Sequence, residues 1–524
     1  MWRRLNSCCR SRSTSFDPMI ARLLTFPLIL ILAGVAAFLM FLPAIDAAMR
    51  GYSGVGRAFA FSGILGLALV MSVGLALSGR TNQKMNDTQN LISLLLAYLL
   101  LPVFLALPFY EGVRNTTFLN AYFEMVSSFT TTGASLFDAP GRLKDSLHLW
   151  RALVGWSGGL LIWISASAVL APLSLGGFEV TARGEPGQDE TVLGRFERAA
   201  PAKRLAQSTA VLAPVYIGLT AALWIILMIG GERAFVAAVH AMSTMATSGI
   251  SSIGGLQNGA AGFAGEFAIF LFLFFSLSRL TFSSDTITAA RPGVINDPEF
   301  RLGVMLVIGV PLILIVRHWL ATLGIEETGD WRVALRALWG ALFTVLSFLS
   351  TTGFESADWQ EARDWSGLGT PGLILLGLSL IGGGVATTAG GVKLLRVYAL
   401  YLHARRETER LVHPSSVGRA TGLGRRIRRQ GAYIAWVFFM LFAMSLTFVT
   451  ALLTLFGQGF ESALILTISG LSTTGPLILT ASEAPIRLLE LSAGAKMVYA
   501  MAMVLGRLET LALIALLNPS IWRD

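Results

Sequence analysis

The sequence predicts an all-α polytopic membrane protein, with two leading transmembrane helices followed by four helix–pore-loop–helix repeats around a pseudo-fourfold pore. Three observations point to this fold class. The 524 residues are 54% hydrophobic and 14% charged, with a mean hydropathy of +0.66, whereas a soluble protein carries about 25% charged residues. The apolar residues form blocks of about 20, the length of a membrane-spanning helix. A short Thr/Ser-rich segment that ends in glycine recurs four times.

The chain begins with a basic tail, residues 1–18, which we expect to be cytoplasmic and without fixed structure. It contains the only two cysteines, Cys8 and Cys9, and an adjacent pair provides neither a disulfide framework nor a metal site. The apolar run that follows is longer than the core of a signal peptide, so we interpret it as an uncleaved first helix. The two leading helices are predicted at 20–44 and 57–77, within residues 19–88.

Four similar units follow. Each is predicted as a spanning helix, a half-length apolar segment, the recurring Thr/Gly segment and a second spanning helix. The units are residues 89–206, 207–300, 301–430 and 431–524. Their predicted helical segments are 91–110, 121–129 and 150–170; 208–229, 234–245 and 263–280; 302–320, 332–349 and 372–400; and 432–455, 460–471 and 489–517.

The recurring segment has the pattern S-x-x-[TAS]-T-[TS]-G. Its glycines are 104 to 122 residues apart, and each follows a serine by six positions. One copy would suit a polar turn in which threonine and glycine end a helix, but four aligned copies predict an internal repeat. We call these four stretches the filter segments. They are Thr130-Thr131-Thr132-Gly133, Ala246-Thr247-Ser248-Gly249, Ser350-Thr351-Thr352-Gly353 and Ser472-Thr473-Thr474-Gly475.

The composition of the filter segments favours a cation pathway. Irregular backbone is tolerated at membrane depth only where protein or water surrounds it, so the four segments are expected to share one axis. Carbonyl and threonine oxygens can replace the hydration shell of an ion, and glycine permits the backbone to turn carbonyls inward. A preceding half-length helix would point the negative end of its dipole at the pore. Neutral ligands suit a monovalent ion better than Mg²⁺ or Ca²⁺, which favour carboxylates.

The net charge of +9 indicates a membrane orientation and needs no nucleic acid to explain it. Arg and Lys cluster in the N-terminal tail and in the loops after the first and third units, which places both termini in the cytoplasm and the surrounding helices in the lipid bilayer. The half-length segments then enter from the outer side. Acidic residues expected on that side would concentrate cations. They are Glu111, Asp138, Glu326, Asp330 and Asp358.

A second polar stretch, residues 382–393, interrupts an apolar helix of the third unit, and we call it the glycine loop. Five of its first ten residues are glycine, so we expect a broken helix that obstructs the pore beneath the filter segments. The alternatives are close helix packing through small residues and, with less support, a phosphate-binding loop, which lacks a preceding strand. The candidate gate residues are Gly382, Gly383, Gly384, Thr387, Thr388, Gly390, Gly391, Lys393 and Arg507.

Arg507 lies within the last apolar helix, where an arginine is costly and usually faces a partner or a water path. It would act as a positive barrier below the filter segments, or it would pair with Glu509 or another carboxylate, and the two roles can coexist. Glu124 and His240 each precede a filter glycine by nine positions. We assign these two residues to support of the half-length helices rather than to ion binding.

From about residue 20 onward, the chain resembles the TrkH/TrkG-type potassium uptake subunits of the Trk/Ktr/HKT superfamily. The motifs that carry the resemblance are Phe123-Glu124 with the first filter segment, Asn296–Arg301, the glycine loop, Arg410–Pro414 and Gly506–Glu509 with Pro519, Trp522 and Arg523. The resemblance implies a homodimer with a cytosolic NAD-binding regulatory subunit of the TrkA type. It also implies that the glycine loop is an intramembrane gate and Arg507 a pore barrier.

The resemblance further implies potassium translocation across a bacterial inner membrane, with K⁺ as the transported ion and no organic cofactor in this chain. An enzyme is disfavoured because the chain has five histidines and no cysteine in a predicted membrane segment. The second and fourth filter segments depart from the family pattern, whereas Gly133 is intact, which favours K⁺ over Na⁺ within the superfamily. A Na⁺- or H⁺-coupled K⁺ symporter and a Na⁺-permeable member remain the alternatives.

Overall fold

The computed structural model describes residues 26–77, 87–171, 201–278, 297–322, 331–366, 372–413, 429–482 and 486–509, and residues 173, 175, 177, 178 and 295. The predicted N-terminal tail, the charged loop around 183–198, Asn296 and the C-terminal Pro519, Trp522 and Arg523 lie outside these residues. Every regular element in the described ranges is helical, which confirms the all-α fold class.

The helices follow the predicted order of two leading helices and four repeats. The first leading helix runs from Leu28 to Met49 with a turn after Leu39, rather than ending near residue 44. In chain order the helices are α1 (Leu28–Leu39), α2 (Phe41–Met49), α3 (Ser53–Leu77), α4 (Asp87–Val113), α5 (Phe118–Phe129), α6 (Asp145–Ser165), α7 (Pro201–Ile229), α8 (Ala234–Ala246), α9 (Gly262–Leu273), α10 (Pro298–Thr322), α11 (Trp331–Leu349), α12 (Trp359–Ser366), α13 (Gly372–Ile381), α14 (Leu394–Val412), α15 (Arg429–Leu455), α16 (Phe460–Leu471), α17 (Leu477–Thr480) and α18 (Ala493–Leu508).

Four pore helices, α5, α8, α11 and α16, lead directly into the filter segments. Three of them have 12 or 13 residues, as the half-length prediction requires. The fourth, α11, has 19 residues and agrees within one residue with its predicted bounds of 332–349, although it is too long to be called half-length. By length and composition α11 is even one of eight helices in the described ranges that could cross a membrane.

The second spanning helices of repeats 2, 3 and 4 are shorter than predicted. In repeat 2, α9 gives way to a 3₁₀ turn at Phe274–Leu277. In repeat 3, α13 stops at Ile381, where the glycine loop begins. In repeat 4, α18 ends at Leu508, and Glu509 follows with a φ of 63°, which is incompatible with a continuing right-handed helix. In repeat 1, by contrast, a π-helical turn at Ala166–Leu170 prolongs α6.

The pore helices and the filter segments form the buried centre of the molecule. The largest fully buried side chains include Trp150, Phe123, Phe343 and Tyr499, which belong to repeats 1, 3 and 4. The outer helices expose large apolar side chains instead, because they face lipid rather than water. Examples are Phe61, Leu65, Ile225, Leu312 and Phe448. The apolar outer surface and the spanning helices identify a membrane protein.

Candidate ion pathway

Each pore helix ends in the same hydrogen-bonded turn. In repeat 1 the Thr132 amide donates to the carbonyl oxygen of Ser127 at 2.9 Å, and the Thr131 amide donates to that of Ser128 at 2.9 Å. This pair of bonds is the Schellman motif, which requires a left-handed residue at its centre. Thr131 takes that position with a φ of 56°.

The same turn recurs in the other three repeats, with a left-handed threonine at each centre. Thr247, Thr351 and Thr473 have φ values of 50°, 59° and 55°. The amide of the next residue donates in each case to the backbone carbonyl of the recurring serine at 2.9 Å, and those pairs are Ser248 to Ser243, Thr352 to Ser347 and Thr474 to Ser469. The recurring serine therefore stabilises the turn through its backbone carbonyl oxygen in all four repeats.

A left-handed conformation is a genuine outlier for a β-branched residue. Backbone strain of this kind persists where the surroundings over-determine it, and it concentrates at ligand-binding sites. The sequence predicts glycine as the source of unusual backbone in each filter segment, whereas the structure adds threonine. Threonine has no preference for positive φ, so its occurrence at the same position in all four copies was the only available signal.

The glycines of the filter segments are not equivalent. Gly133, Gly249 and Gly353 have φ values of 74°, 65° and 80°, whereas Gly475 is outside the left-handed region. Gly475 precedes Pro476, and a residue before proline is pushed toward extended conformations. The backbone of the fourth filter segment therefore differs from that of the other three at its last residue, Gly475.

The filter segments of repeats 1, 2 and 3 touch in chain order. A Cβ atom placed on Gly133 would lie 1.8 Å from the carbonyl oxygen of Ser248 in repeat 2. A Cβ atom on Gly249 would lie 2.3 Å from the carbonyl oxygen of Thr352 in repeat 3. Glycine is required at both positions because no side chain fits between neighbouring segments.

The fourth filter segment closes the ring between repeats 3 and 1. A Cβ atom on Gly353 would lie 3.0 Å from the Pro476 ring, and one on Gly475 would lie 2.1 Å from the Ala134 amide nitrogen. The Gly475 amide also donates to the carbonyl oxygen of Thr132 at 2.6 Å. The structure thus brings all four predicted filter segments together around one axis.

Hydroxyl pairs stiffen three of the four filter segments. The first and third residues of the segment approach within 2.8 Å, 2.9 Å and 3.1 Å through their side-chain oxygens in Thr130–Thr132, Ser350–Thr352 and Ser472–Thr474. In repeat 2 the first residue is Ala246, and the Ser248 hydroxyl pairs with that of Ser243 at 3.1 Å instead. Repeat 2 therefore lacks the hydroxyl pair within its filter segment and has a pair between the filter segment and the pore helix instead.

We call the residues that follow each filter glycine the return segments, and in repeats 1 and 2 a polar side chain of the pore helix holds them. Glu124 accepts from the Leu136 amide at 3.0 Å and pairs with Arg151 at 2.7 Å. The His240 ring contacts the Ser251 hydroxyl at 2.9 Å. Both residues contact the return segment of their own repeat, as expected for a supporting role.

The glycine loop lies where the pore helices end, on the side away from the return segments. The Thr388 hydroxyl donates to the Met245 carbonyl at 3.2 Å, and the Gly390 amide donates to the Thr351 hydroxyl at 2.8 Å. A Cβ atom on Gly390 would lie 2.1 Å from the carbonyl oxygen of Ser472. The loop therefore touches the inner ends of pore helices from repeats 2, 3 and 4.

The glycine loop also packs closely against itself and against repeat 2. Gly382 and Gly391 have positive φ values of 72° and 78°, and a Cβ atom on Gly382 would lie 2.1 Å from the Gly390 carbonyl oxygen. The Gly384 amide donates to the carbonyl oxygen of Ser276 at 2.8 Å. The small residues of the glycine loop thus allow close packing within the loop and against repeat 2. This packing places the loop beneath the ring of filter segments.

Arg507 is held by the glycine loop and not by the nearby carboxylate. Its Nη1 donates to the Thr388 carbonyl at 2.7 Å, and the residue is 3% exposed. Glu509 pairs instead with Arg396 at 2.6 Å, which contradicts the alternative of an Arg507–Glu509 ion pair. Lys393 turns its ammonium group to the Ala389 carbonyl within the loop. A positive group therefore adjoins the loop directly below the ring.

A helical membrane protein whose pore helices aim their negative ends at one ring of irregular backbone belongs to the class of cation transport proteins. The chain belongs to the TrkH family, described as cation transport proteins, because the family model matches residues 71–522. Its fold and family are those of transport proteins rather than enzymes.

Named relatives agree with this assignment. The chain is 29% identical to the Trk system potassium uptake protein TrkH of Salmonella typhimurium over 90% of this chain and 93% of that protein. It is 27% identical to the Trk system potassium uptake protein TrkG of Escherichia coli over 83% and 85%, respectively. The crystal structure of the potassium transporter TrkH from Vibrio parahaemolyticus matches with a TM-score of 0.77, 25% identity and coverage of 96% and 99%.

Proposed function

We propose that this chain moves potassium ions across a bacterial inner membrane through the ring of filter segments. The observation that carries the proposal is the fourfold recurrence of a strained, left-handed threonine at the inner end of a pore helix. The similarity to proteins named for potassium uptake supports K⁺ as the ion.

In this proposal the ring strips water from the ion and replaces it with backbone carbonyls and threonine hydroxyls. The filter segments contain no carboxylate, so the negative ends of the pore helices favour the cation without binding it too tightly to leave. The buried Thr131 and Thr473 hydroxyls have no hydrogen-bond partner within the described ranges. They are therefore free to contribute to an ion site.

The glycine loop and Arg507 form the gate in this proposal. The loop fills the space beneath the ring, and Arg507 adds a positive charge that repels the ion until both move aside. A cytosolic NAD-binding subunit of the TrkA type would control that movement in a homodimer whose chains have cytoplasmic N- and C-termini. The exposed residues Arg405 and Arg406 and the half-buried Arg410, at the end of α14, would then lie on the cytoplasmic side.

The test is rescue of a potassium-transport-deficient bacterium at low external K⁺. The Gly133→Ser variant is expected to lose at least about tenfold in uptake, because a side chain at this position collides with the backbone of repeat 2. Gly51→Ser is the matched control, since Gly51 also has a positive φ of 77°, but a Cβ atom placed there would meet nothing within 4 Å. Equal rescue by wild type and Gly133→Ser would remove the filter assignment.

The uneven fourth filter segment keeps a Na⁺-permeable transporter as the second candidate, because Gly475 leaves the common backbone path. Competition between Na⁺ and K⁺ during uptake separates the two ions. Single-channel current separates a pore from a Na⁺- or H⁺-coupled symporter, which would instead give saturable flux that depends on the driving gradient.

A further inference from the structure

The return segment of repeat 3 is held by a carboxylate from the neighbouring repeat. Glu266 lies on α9 of repeat 2. Its Oε2 accepts from the Ser356 hydroxyl at 2.7 Å, and its Oε1 accepts from the Ala357 amide at 2.7 Å. Ser356 follows Gly353 by three residues. Glu266 therefore fixes the position of filter segment 3 relative to repeat 2.

A third donor reaches the same carboxylate from the pore helix of repeat 3. The indole nitrogen of Trp339 on α11 donates to Glu266 Oε2 at 3.0 Å, and Glu266 is only 5% exposed. All three partners are neutral donors. An amide side chain could not replace the carboxylate, because its NH₂ group would face one of these donors instead of accepting from it.

Within the described residues no cationic side chain pairs with Glu266, in contrast to Glu124. Glu124 braces the return segment of repeat 1 and has Arg151 at 2.7 Å. Within the described part of the chain, the hydrogen bonds to the Glu266 carboxylate come from Ser356, Ala357 and Trp339 alone. A buried negative charge acts over a long range because the surrounding dielectric is low. Its field therefore favours a cation at the outer end of the ring.

We propose that Glu266 is a positioning residue for the third filter segment, which it holds from repeat 2 while adding negative charge behind the ring. Glu266 thereby sets the affinity of the pathway for K⁺ and its preference over Na⁺. This inference rests on the proposed function of the filter segments.

The test is the dependence of uptake on external K⁺, with Na⁺ as competitor, for the full chain in the transport-deficient bacterium. In Glu266→Gln the half-saturating K⁺ concentration is expected to rise about tenfold, because a hydrogen bond to a charged group is lost. Competition by Na⁺ is expected to become stronger, whereas maximal uptake changes less. Ser356→Ala removes one donor only and is expected to give a smaller shift in the same direction.

Glu232→Gln is the matched control. Glu232 is also a buried carboxylate of repeat 2, at 8% exposure, but it accepts from the amides of Arg233 and Ala261 within its own repeat. It is expected to keep the wild-type K⁺ dependence. An equal shift in Glu232→Gln would overturn the proposal, because it would indicate a general effect of losing a buried carboxylate.

A wild-type K⁺ dependence in Glu266→Gln would also overturn the proposal. If Glu266→Gln fails to reach the membrane, Ser356→Ala is used as the test instead. An unchanged half-saturating K⁺ concentration in Ser356→Ala would then contradict the proposal. The Gly353→Ser variant separates the role of the filter segments from the role of Glu266. Unimpaired uptake by Gly353→Ser would remove the filter assignment itself, whereas impaired uptake by Gly353→Ser with an unaffected Glu266→Gln would remove only the role of Glu266.

Discussion

The filter ring and the glycine loop are both buried, irregular and rich in glycine and threonine, but they are held in different ways. Each filter segment bonds to carbonyls of its own pore helix, no more than six residues away, and within the described residues only the Gly475 amide is known to bond to the backbone of another filter segment, at Thr132. The glycine loop bonds to groups that are distant in sequence, among them Met245, Ser276 and Arg507. Local bonds survive when neighbouring helices shift, whereas a loop held from elsewhere is released when a few distant contacts break. The ring is therefore suited to a fixed site and the loop to a moving one.

The largest effect is expected from a change that pushes the loop off the ring. Gly390→Ala places a methyl group 2.1 Å from the Ser472 carbonyl oxygen, and overpacking of this kind costs about 1–3 kcal/mol. Basal ion flux is expected to rise about tenfold to a hundredfold. Flux through proteoliposomes measures the change, and Gly377→Ala on α13, where a Cβ meets nothing within 4 Å, is the control. Wild-type flux in Gly390→Ala would argue that the loop does not obstruct the pathway.

A smaller effect is expected when one distant contact of the loop is removed. Arg507→Ala deletes the bond to the Thr388 carbonyl and a buried positive charge, so flux is expected to rise about tenfold, as suits the loss of one charge-assisted hydrogen bond. Arg487→Ala is the control, because Arg487 is exposed and pairs with Glu490 at 3.4 Å, away from the loop. Unchanged flux at normal expression would mean that Arg507 is structural.

The smallest effect concerns the ring alone. The Ser127 hydroxyl donates to the Ala134 carbonyl at 2.6 Å, whereas the equivalent Ser347 hydroxyl has no hydrogen-bond partner in the described ranges. Ser127→Ala is expected to lower the free energy of unfolding by about 1 kcal/mol, and Ser347→Ala is expected to leave it nearly unchanged. Thermal unfolding of the detergent-solubilised variants compares them. Equal losses would show that the hydrogen bond from the Ser127 hydroxyl adds nothing to stability.

The sequence was sufficient to predict the architecture because its signals are local and repeated. Long apolar runs marked the helices, and four copies of one motif marked the ring. The left-handed threonines were missed because conformational preference argues against them. The contact between Glu266 and Ser356 joins residues 90 positions apart, and no local pattern records such a pairing.

The bond between Gly475 and Thr132 has a consequence for biosynthesis. Chains fold progressively as they leave the ribosome, and this bond joins the first repeat to the last. The first pore helix can complete its own terminal turn early, but the ring stays open on one side until the fourth repeat has been inserted. The contact between Arg507 and the glycine loop forms later still, because Arg507 is made after Gly475. A nascent chain therefore has no closed ring of filter segments before the fourth repeat is in place.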